Sequence, residues 1–291
     1  MLLTAENGRI HLRVDTLGAQ MMSIQTEDGT EYLWQGDSRY WPDRAPLLFP
    51  FIARLTDDSY YYKGKLFHMG IHGFAAQSEF SPVVTERNRL ILELNSSELT
   101  LRQYPFEFCL RVMFFLENDS VRISCHVENL SREVMPFGIG GHPGFRVPLE
   151  KGESFEDYRL EFSEKCQPDR VGFTPQLYLS GHDAVYPLEE GKILPLKHGL
   201  FDDDAVVLKN MAREVTLSSS VSGRSVKLSY PGMPYLGIWH APKTNAPYVC
   251  IEPWSSLPSR QDVIEELSCK SDLVQLPPGR SYDTSWTIEI S

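Results

Sequence analysis

Apolar residues in this chain recur at every second position, and nowhere for long at the three-and-four spacing of a helix. Val121-Arg-Ile-Ser-Cys-His-Val127 alternates apolar with polar, as do Val226-Lys-Leu-Ser-Tyr230 and Trp286-Thr-Ile-Glu-Ile290. Side chains on a strand point alternately to its two faces, so this pattern puts one face on a core and the other towards water. Phe108-Cys-Leu-Arg-Val-Met-Phe-Phe-Leu116 is more uniformly apolar and reads as a strand covered on both sides. The turn signal Glu117-Asn-Asp-Ser120 then joins it to the Val121 run as a hairpin. Tyr60 to Phe67 reads as another hairpin, turning at Lys63-Gly64. The single helix expected is a short one over 262–267, with Asp262 as cap and Glu265 at the capping-box position.

Twenty glycines and 20 prolines punctuate these runs. The expected fold class is all-β, a large antiparallel β-sandwich with few short helices. The stretch from Glu150 to Leu200 is irregular, yet no segment has linker composition. One domain over 1–291 is therefore expected.

A net charge of −11 argues against a nucleic-acid surface, which needs clustered Lys and Arg. No run approaches the roughly 18 apolar residues of a membrane helix, and the N-terminus lacks a signal-peptide pattern. Five cysteines, odd in number and without CxxC spacing, suit a reduced, cytoplasmic protein. Cys109, Cys125 and Cys250 fall inside strand-like runs as small buried hydrophobes.

Chemistry concentrates in Gly/Pro-framed segments. His142 sits in FGIGGHPGF, where glycines permit positive φ or a close approach and Pro143 stiffens the turn. Its side-chain type has an unperturbed pKa near 6.5, suited to proton transfer. Glu252, in CIEPWSSLP, ends a strand at Pro253 beside Trp254. Trp254 or Trp239 offers an apolar platform that would raise the carboxyl's pKa. Arg54 in FPFIARL stands in an apolar run, and a buried Arg must be paired or ligand-facing. His72 in MGIHGF repeats the framing of His142. In Phe201-Asp-Asp-Asp-Ala-Val-Val-Leu208 three carboxylates precede a strand, as a solvated turn or as hydroxyl ligands. Among the other histidines only His240 stands beside a further candidate, Trp239. There is no HExxH, phosphate loop, GxGxxG, GxSxG or zinc spacing. What remains is a reaction run by side chains, with no cofactor and no metal expected.

These residues resemble a family. The Arg segment FPFIARL, the His segments GIHGF and GGHPGF, the acidic FDDDAVVL and the Glu segment GIWHAPKTNAPYVCIEPW follow one another as in the aldose 1-epimerase (galactose mutarotase-like) family, most closely its LacX-type branch. The resemblance implies a many-stranded supersandwich with a cleft, and exchange of the α and β anomers of a free aldose. By it, Glu252 is the general base at the C1 hydroxyl and His142 the general acid at the ring oxygen, the two facing each other across the sugar ring. Arg54 and His72 hold oxygens, and Asp204, or its neighbour Asp203, binds hydroxyls. The segments depart from the galactose mutarotases: Phe74 follows Gly73, and Gly141 and Pro143 flank the second His. The hydroxyl-reading residues therefore differ. A hexose-6-phosphate epimerase would need more cations than Arg54, a non-catalytic sugar binder would lack the acid or base, and a glycosidase would use two carboxylates. The expected partner is a small sugar, on a monomer or homodimer.

Overall fold

The computed structural model describes residues Met1–Ser291. The alternating runs form two large sheets whose inward side chains meet in one apolar core. The nine-stranded sheet runs, in spatial order, Ile193–Pro195, Tyr158–Phe162, Glu214–Ser219, Ser225–Ser229, Ser281–Ile290, Ser120–Asn129, Phe108–Glu117, Arg89–Asn95 and Ser81–Glu86. The eight-stranded sheet runs Ala184–Val185, Asp169–Arg170, Val206–Lys209, Tyr235–Trp239, Tyr248–Trp254, Gly140–Gly141 and Leu47–Leu48, with Gly144–Arg146 also pairing to Tyr248–Trp254. Every ladder between these strands is antiparallel. A three-stranded sheet over Leu2–Thr26 adds its apolar face, including Leu12, Val14 and Ile24, to the same core.

Both expected hairpins form: Phe108–Glu117 pairs with Ser120–Asn129, and Ser59–Tyr62 with Lys65–His68. Lys63 and Gly64 turn the latter with φ of 51° and 74°, the left-handed pair of a tight two-residue loop. Three expectations fail. The strand holding Glu252 does not stop at Pro253 but pairs on through Trp254. The strand from Phe108 is covered on both faces only at its start. From Arg111 onward it alternates, and Phe115 lies on the outer face beneath the guanidinium groups of Arg89 and Arg122. There is also no helix over 262–267. Asp262 has φ of 57°, which a helix cap does not adopt, and the Glu265 carboxylate is taken by Arg260 at 3.0 and 2.9 Å. The one α-helix is Glu98–Gln103, capped reciprocally by Ser97 and Thr100. At six residues it is too short to show a hydrophobic period. No helix of the structure is long and apolar enough to cross a membrane.

The strand Tyr248–Trp254 explains where a site can form, because it is buried along its whole length. Val249 and Ile251 face the main core, while Cys250 and Trp254 belong to smaller apolar clusters on the opposite face. Neighbouring strands divide the same way: Leu47, Val206 and Ile238 point inward, Leu48, Val207 and Trp239 outward. The outer face of this sheet is thus walled by loops rather than by water.

Candidate active site

A cavity of about 360 Å³ opens on that outer face. His142, Glu252, Arg54, His72, Asp204 and Trp239, the sequence-derived candidates, all line it. Asp203 does not; it is exposed, whereas Asp204 is partly buried and turned by a φ of 80°.

Local rules bring them together. The His72 turn is tied to the Arg54 segment by mutual backbone hydrogen bonds: His72 N–H donates to Ala53 C=O at 3.0 Å, and Phe49 N–H to His72 C=O at 3.3 Å. His72 and Gly73 both take left-handed φ, 63° and 76°. A Cβ on Gly73 would stand 2.3 Å from the Phe49 carbonyl oxygen. Gly73→Ala should therefore cost at least ~2 kcal/mol, read as a lowered denaturant midpoint at unchanged m. An unshifted midpoint would show that this turn does not hold the two segments.

The glycines around His142 act through space rather than φ, as none of Gly140, Gly141 and Gly144 is left-handed. A Cβ on them would meet the Pro253 carbonyl at 2.7 Å, the Trp286 ring at 2.7 Å and the Trp41 ring at 3.0 Å. His142 is thereby pressed between the sheet and Trp41, whose ring stacks on its imidazole at 4.7 Å. Trp239 and His72 stand edge-on to it, each at 5.6 Å. Opposite Glu252 in the ladder lies Gly237, which leaves the carboxyl room.

The His142 and Glu252 side chains meet directly, Nε2 to Oε2 at 3.3 Å, and are 10% and 1% exposed. Burial first, and the Asp204 charge second, push the Glu252 carboxyl well above its usual range; the Trp254 indole acts the other way. Burial, then His72, hold the His142 imidazole well below its ordinary value. The two shifts share one sense. A dry pocket favours the uncharged form of each group; Glu252 Oε2 accepts no hydrogen bond, and the 3.3 Å separation leaves the two within reach of a proton exchange. His72 accepts the Ala53 N–H on Nδ1 at 3.1 Å, leaving Nε2 to carry a proton and donate. Burial and the neighbouring Arg54 charge lower it to about 4, so it is neutral at physiological pH.

Arg54 differs from expectation: it is exposed at the cavity mouth, not buried, and its guanidinium makes no ion pair. Leu55 after it packs into the main core, while Ala53 before it, with φ of 58°, lines the cavity. The sequence reading missed Trp41, Asp43, Gln77, Phe173 and Leu177, all in the lining. Phe173 and Leu177 come from the irregular 150–200 stretch. Nothing in their local sequence marks them, since tertiary folding alone brings them over the sheet. His240 lies elsewhere, fully buried against Phe155 and Phe201 and bonded to His198 at 3.1 Å.

A metal can also be weighed on the donor atoms. His142, Cys250 and Glu252 bring ligand atoms within 4.8 Å of one another, a grouping that sequence spacing does not reveal. Bonds of ~2.0–2.3 Å to zinc would need these atoms to close further, and the Cys250 thiol, fully buried, is pushed up by burial and by Glu252. A protonated thiol at that spacing is a poor ligand, so the trio does not fit a resident zinc.

An antiparallel sandwich with a buried carboxyl–imidazole pair in a tryptophan-walled cavity on one sheet's outer face defines a β-sandwich protein with a small-molecule-sized pocket. The aldose 1-epimerase family model matches residues 1–288. The chromosomal LacX protein of Lactococcus lactis subsp. lactis is 35% identical over 98% of this chain and 97% of its own. Among solved structures, a galactose mutarotase related enzyme from Lactobacillus acidophilus superposes with a TM-score of 0.95 at 32% identity, covering 100% of this chain and 97% of that one. A galactose mutarotase-like protein from Lactobacillus casei ATCC 334 gives 0.94 at 30%, with full coverage of both. The chain belongs to the aldose 1-epimerase family, and its fold is galactose mutarotase-like.

Proposed function

We propose that the protein is a mutarotase that interconverts the anomers of a free aldose by opening and closing the ring. The observation that carries this reading is the 3.3 Å contact between the buried His142 Nε2 and Glu252 Oε2 inside the cavity. The C1 hydroxyl and the ring oxygen are bonded to one carbon, so an acid and a base that serve both must be close neighbours. The sugar lies over the pair rather than between its members. Glu252 as carboxylate takes the C1 hydroxyl proton, and His142 as imidazolium protonates the ring oxygen as its bond to C1 breaks. The products are an open-chain aldehyde, a neutral carboxylic acid and a neutral imidazole. Ring opening therefore discharges an ion pair in a dry pocket, which burial favours. After rotation about C1–C2, Glu252 returns its proton to the carbonyl oxygen and His142 takes one from the attacking hydroxyl. Arg54 and the His72 Nε2–H orient the ring oxygens, Asp204 accepts from hydroxyls, and Trp239 covers an apolar sugar face.

The charge of the lining favours a neutral substrate. Asp43 and Asp204 face the cavity against one permanent cation, Arg54, and the uncharged Glu252–His142 pair adds no cation at rest. A phosphate dianion would meet more repulsion than attraction there. Polarimetry of freshly dissolved α-D-glucose, α-D-galactose and glucose 6-phosphate tests this. The free aldoses should relax faster than the buffer blank, and the phosphate ester should gain little. Blank-rate relaxation across all of them would refute the assignment, and a preference for the ester would move it to the hexose-phosphate epimerases.

A further inference from the structure

Behind His142, on the core side of its sheet, is a second cavity of about 10 Å³, the size of a single water. Phe114, Ile123, Met21 and Leu47 line it, together with Gly141, His142 and Trp286. Two buried nitrogens at this site have no protein partner: His142 Nδ1 and Trp286 Nε1. Both residues are more than nine-tenths buried, at 8% and 2% exposure. Unpartnered buried polar atoms are costly, and two beside one water-sized hole call for a common partner. The partner must be an acceptor on the tryptophan side, because an indole N–H can only donate. Gly141 makes the approach possible, since a Cβ there would stand 2.7 Å from the Trp286 ring.

We propose that Trp286 is a positioning residue for His142, acting through one buried water whose oxygen accepts both the Trp286 Nε1–H and the His142 Nδ1–H. A water oxygen has two lone pairs, so it satisfies the two donors together. With Nδ1–H held in this way, every proton His142 gains or loses passes through Nε2, the nitrogen that faces Glu252 at 3.3 Å. Trp286 lies on the nine-stranded sheet, so the opposite layer of the sandwich sets the tautomer used in the cavity. This rests on the reading of His142 as the proton-transfer group.

Nitrogen-15 NMR of histidine- and tryptophan-labelled protein tests the proposal, with His142→Asn used only to assign the signal. At neutral pH the wild-type protein should show a protonated, slowly exchanging Nδ1–H on His142. That proton and the Trp286 indole proton should both show cross-relaxation to one long-lived water. Trp286→Phe keeps a smaller aromatic ring and deletes the donor. It should speed exchange of the His142 Nδ1–H and lower kcat about tenfold, the worth of one buried hydrogen bond, at unchanged KM. A wild-type His142 protonated on Nε2 alone, or the same Nδ1–H signal and kcat in Trp286→Phe, would overturn it. Should Trp286→Phe fail to fold, the wild-type water contacts decide, and their absence overturns the bridge. The wild-type tautomer is read without activity, so an inactive protein with the bridge refutes the mutarotase reading alone. An active one with His142 protonated only on Nε2 refutes the bridge alone.

Discussion

Replacing Glu252 by glutamine should silence mutarotation and, at alkaline pH, make the protein more stable than the wild type. The first effect follows from proton transfer: an amide cannot take the C1 proton, and a general base supplies about 10²–10⁴-fold in rate. The second follows from burial. The folded state holds the Glu252 carboxyl well above its usual range, while in the unfolded chain it titrates near ~4.3. Below that value both states are protonated and the carboxyl costs nothing. As pH rises through it, the unfolded chain releases a proton that the folded state keeps, so wild-type stability falls until the folded carboxyl also ionises. Glutamine escapes this loss. The melting temperature of Glu252→Gln should therefore exceed the wild type's at pH 8, by about 2–4 °C for each kcal/mol relieved, and match it near pH 4. A variant that melts lower at pH 8 would mean that the carboxylate is stabilised in place and that the pocket is not tuned for a proton. A stabilising substitution that destroys function is expected where a site is held in strain for its chemistry.

How much of this was legible in advance depends on the range over which each signal acts. Strand existence was readable because the alternation at Val121–Val127 and Trp286–Ile290 is imposed by the sheet on the segment itself. Glu252 was picked out by a proline that proves not to end its strand: the ladder runs on through Trp254 inside the sheet, and neighbours on both sides bury the carboxyl. Choosing Asp204 over Asp203 turned on a single left-handed residue, which nothing in Asp-Asp-Asp specifies. The helix over Glu98–Gln103 escaped because one turn held by Ser97 and Thr100 carries no period. Trp41 escaped for a different reason. Its partner is His142, about a hundred residues away, and the only trace of the contact is that Gly144 is small. Gly141 likewise hints that something bulky packs beneath His142, without saying that it is Trp286.

The expectation most changed is the relation between acid and base. In sequence, His142 and Glu252 are two separate turns, and nothing fixes their distance. At 3.3 Å within a buried pocket, they stand within reach of a direct proton exchange. On the proposed mechanism, the neutral pair and its ion-pair tautomer carry the same number of protons, so the form competent for ring opening should persist over a wide pH range. The acid edge of activity is reached only when His142 binds a second proton against burial. The alkaline edge is reached only when the pair gives up its last.

His142→Asn tests that picture from the other side. Asparagine can still donate a hydrogen bond to the ring oxygen but cannot deliver the proton, so kcat should fall by about 10²–10³-fold. Its stability effect should appear at the opposite end of the pH scale from that of Glu252→Gln. The folded state holds His142 well below its ordinary value, whereas in the unfolded chain it protonates near ~6.5. As pH falls through that value the unfolded chain gains a proton that the folded state refuses, and the wild type loses stability. Asparagine has no such proton to refuse. The difference in melting temperature between His142→Asn and wild type should thus be small at pH 8 and grow in the variant's favour towards pH 5. Two gains at opposite pH extremes identify a neutral pair. Were the resting pair a carboxylate and an imidazolium, removing either member would strand a buried charge, costing about 3–5 kcal/mol at every pH in between. Thermal melts of the two variants across pH 4–9 separate these cases without any sugar present, because the question concerns where one proton sits before substrate arrives.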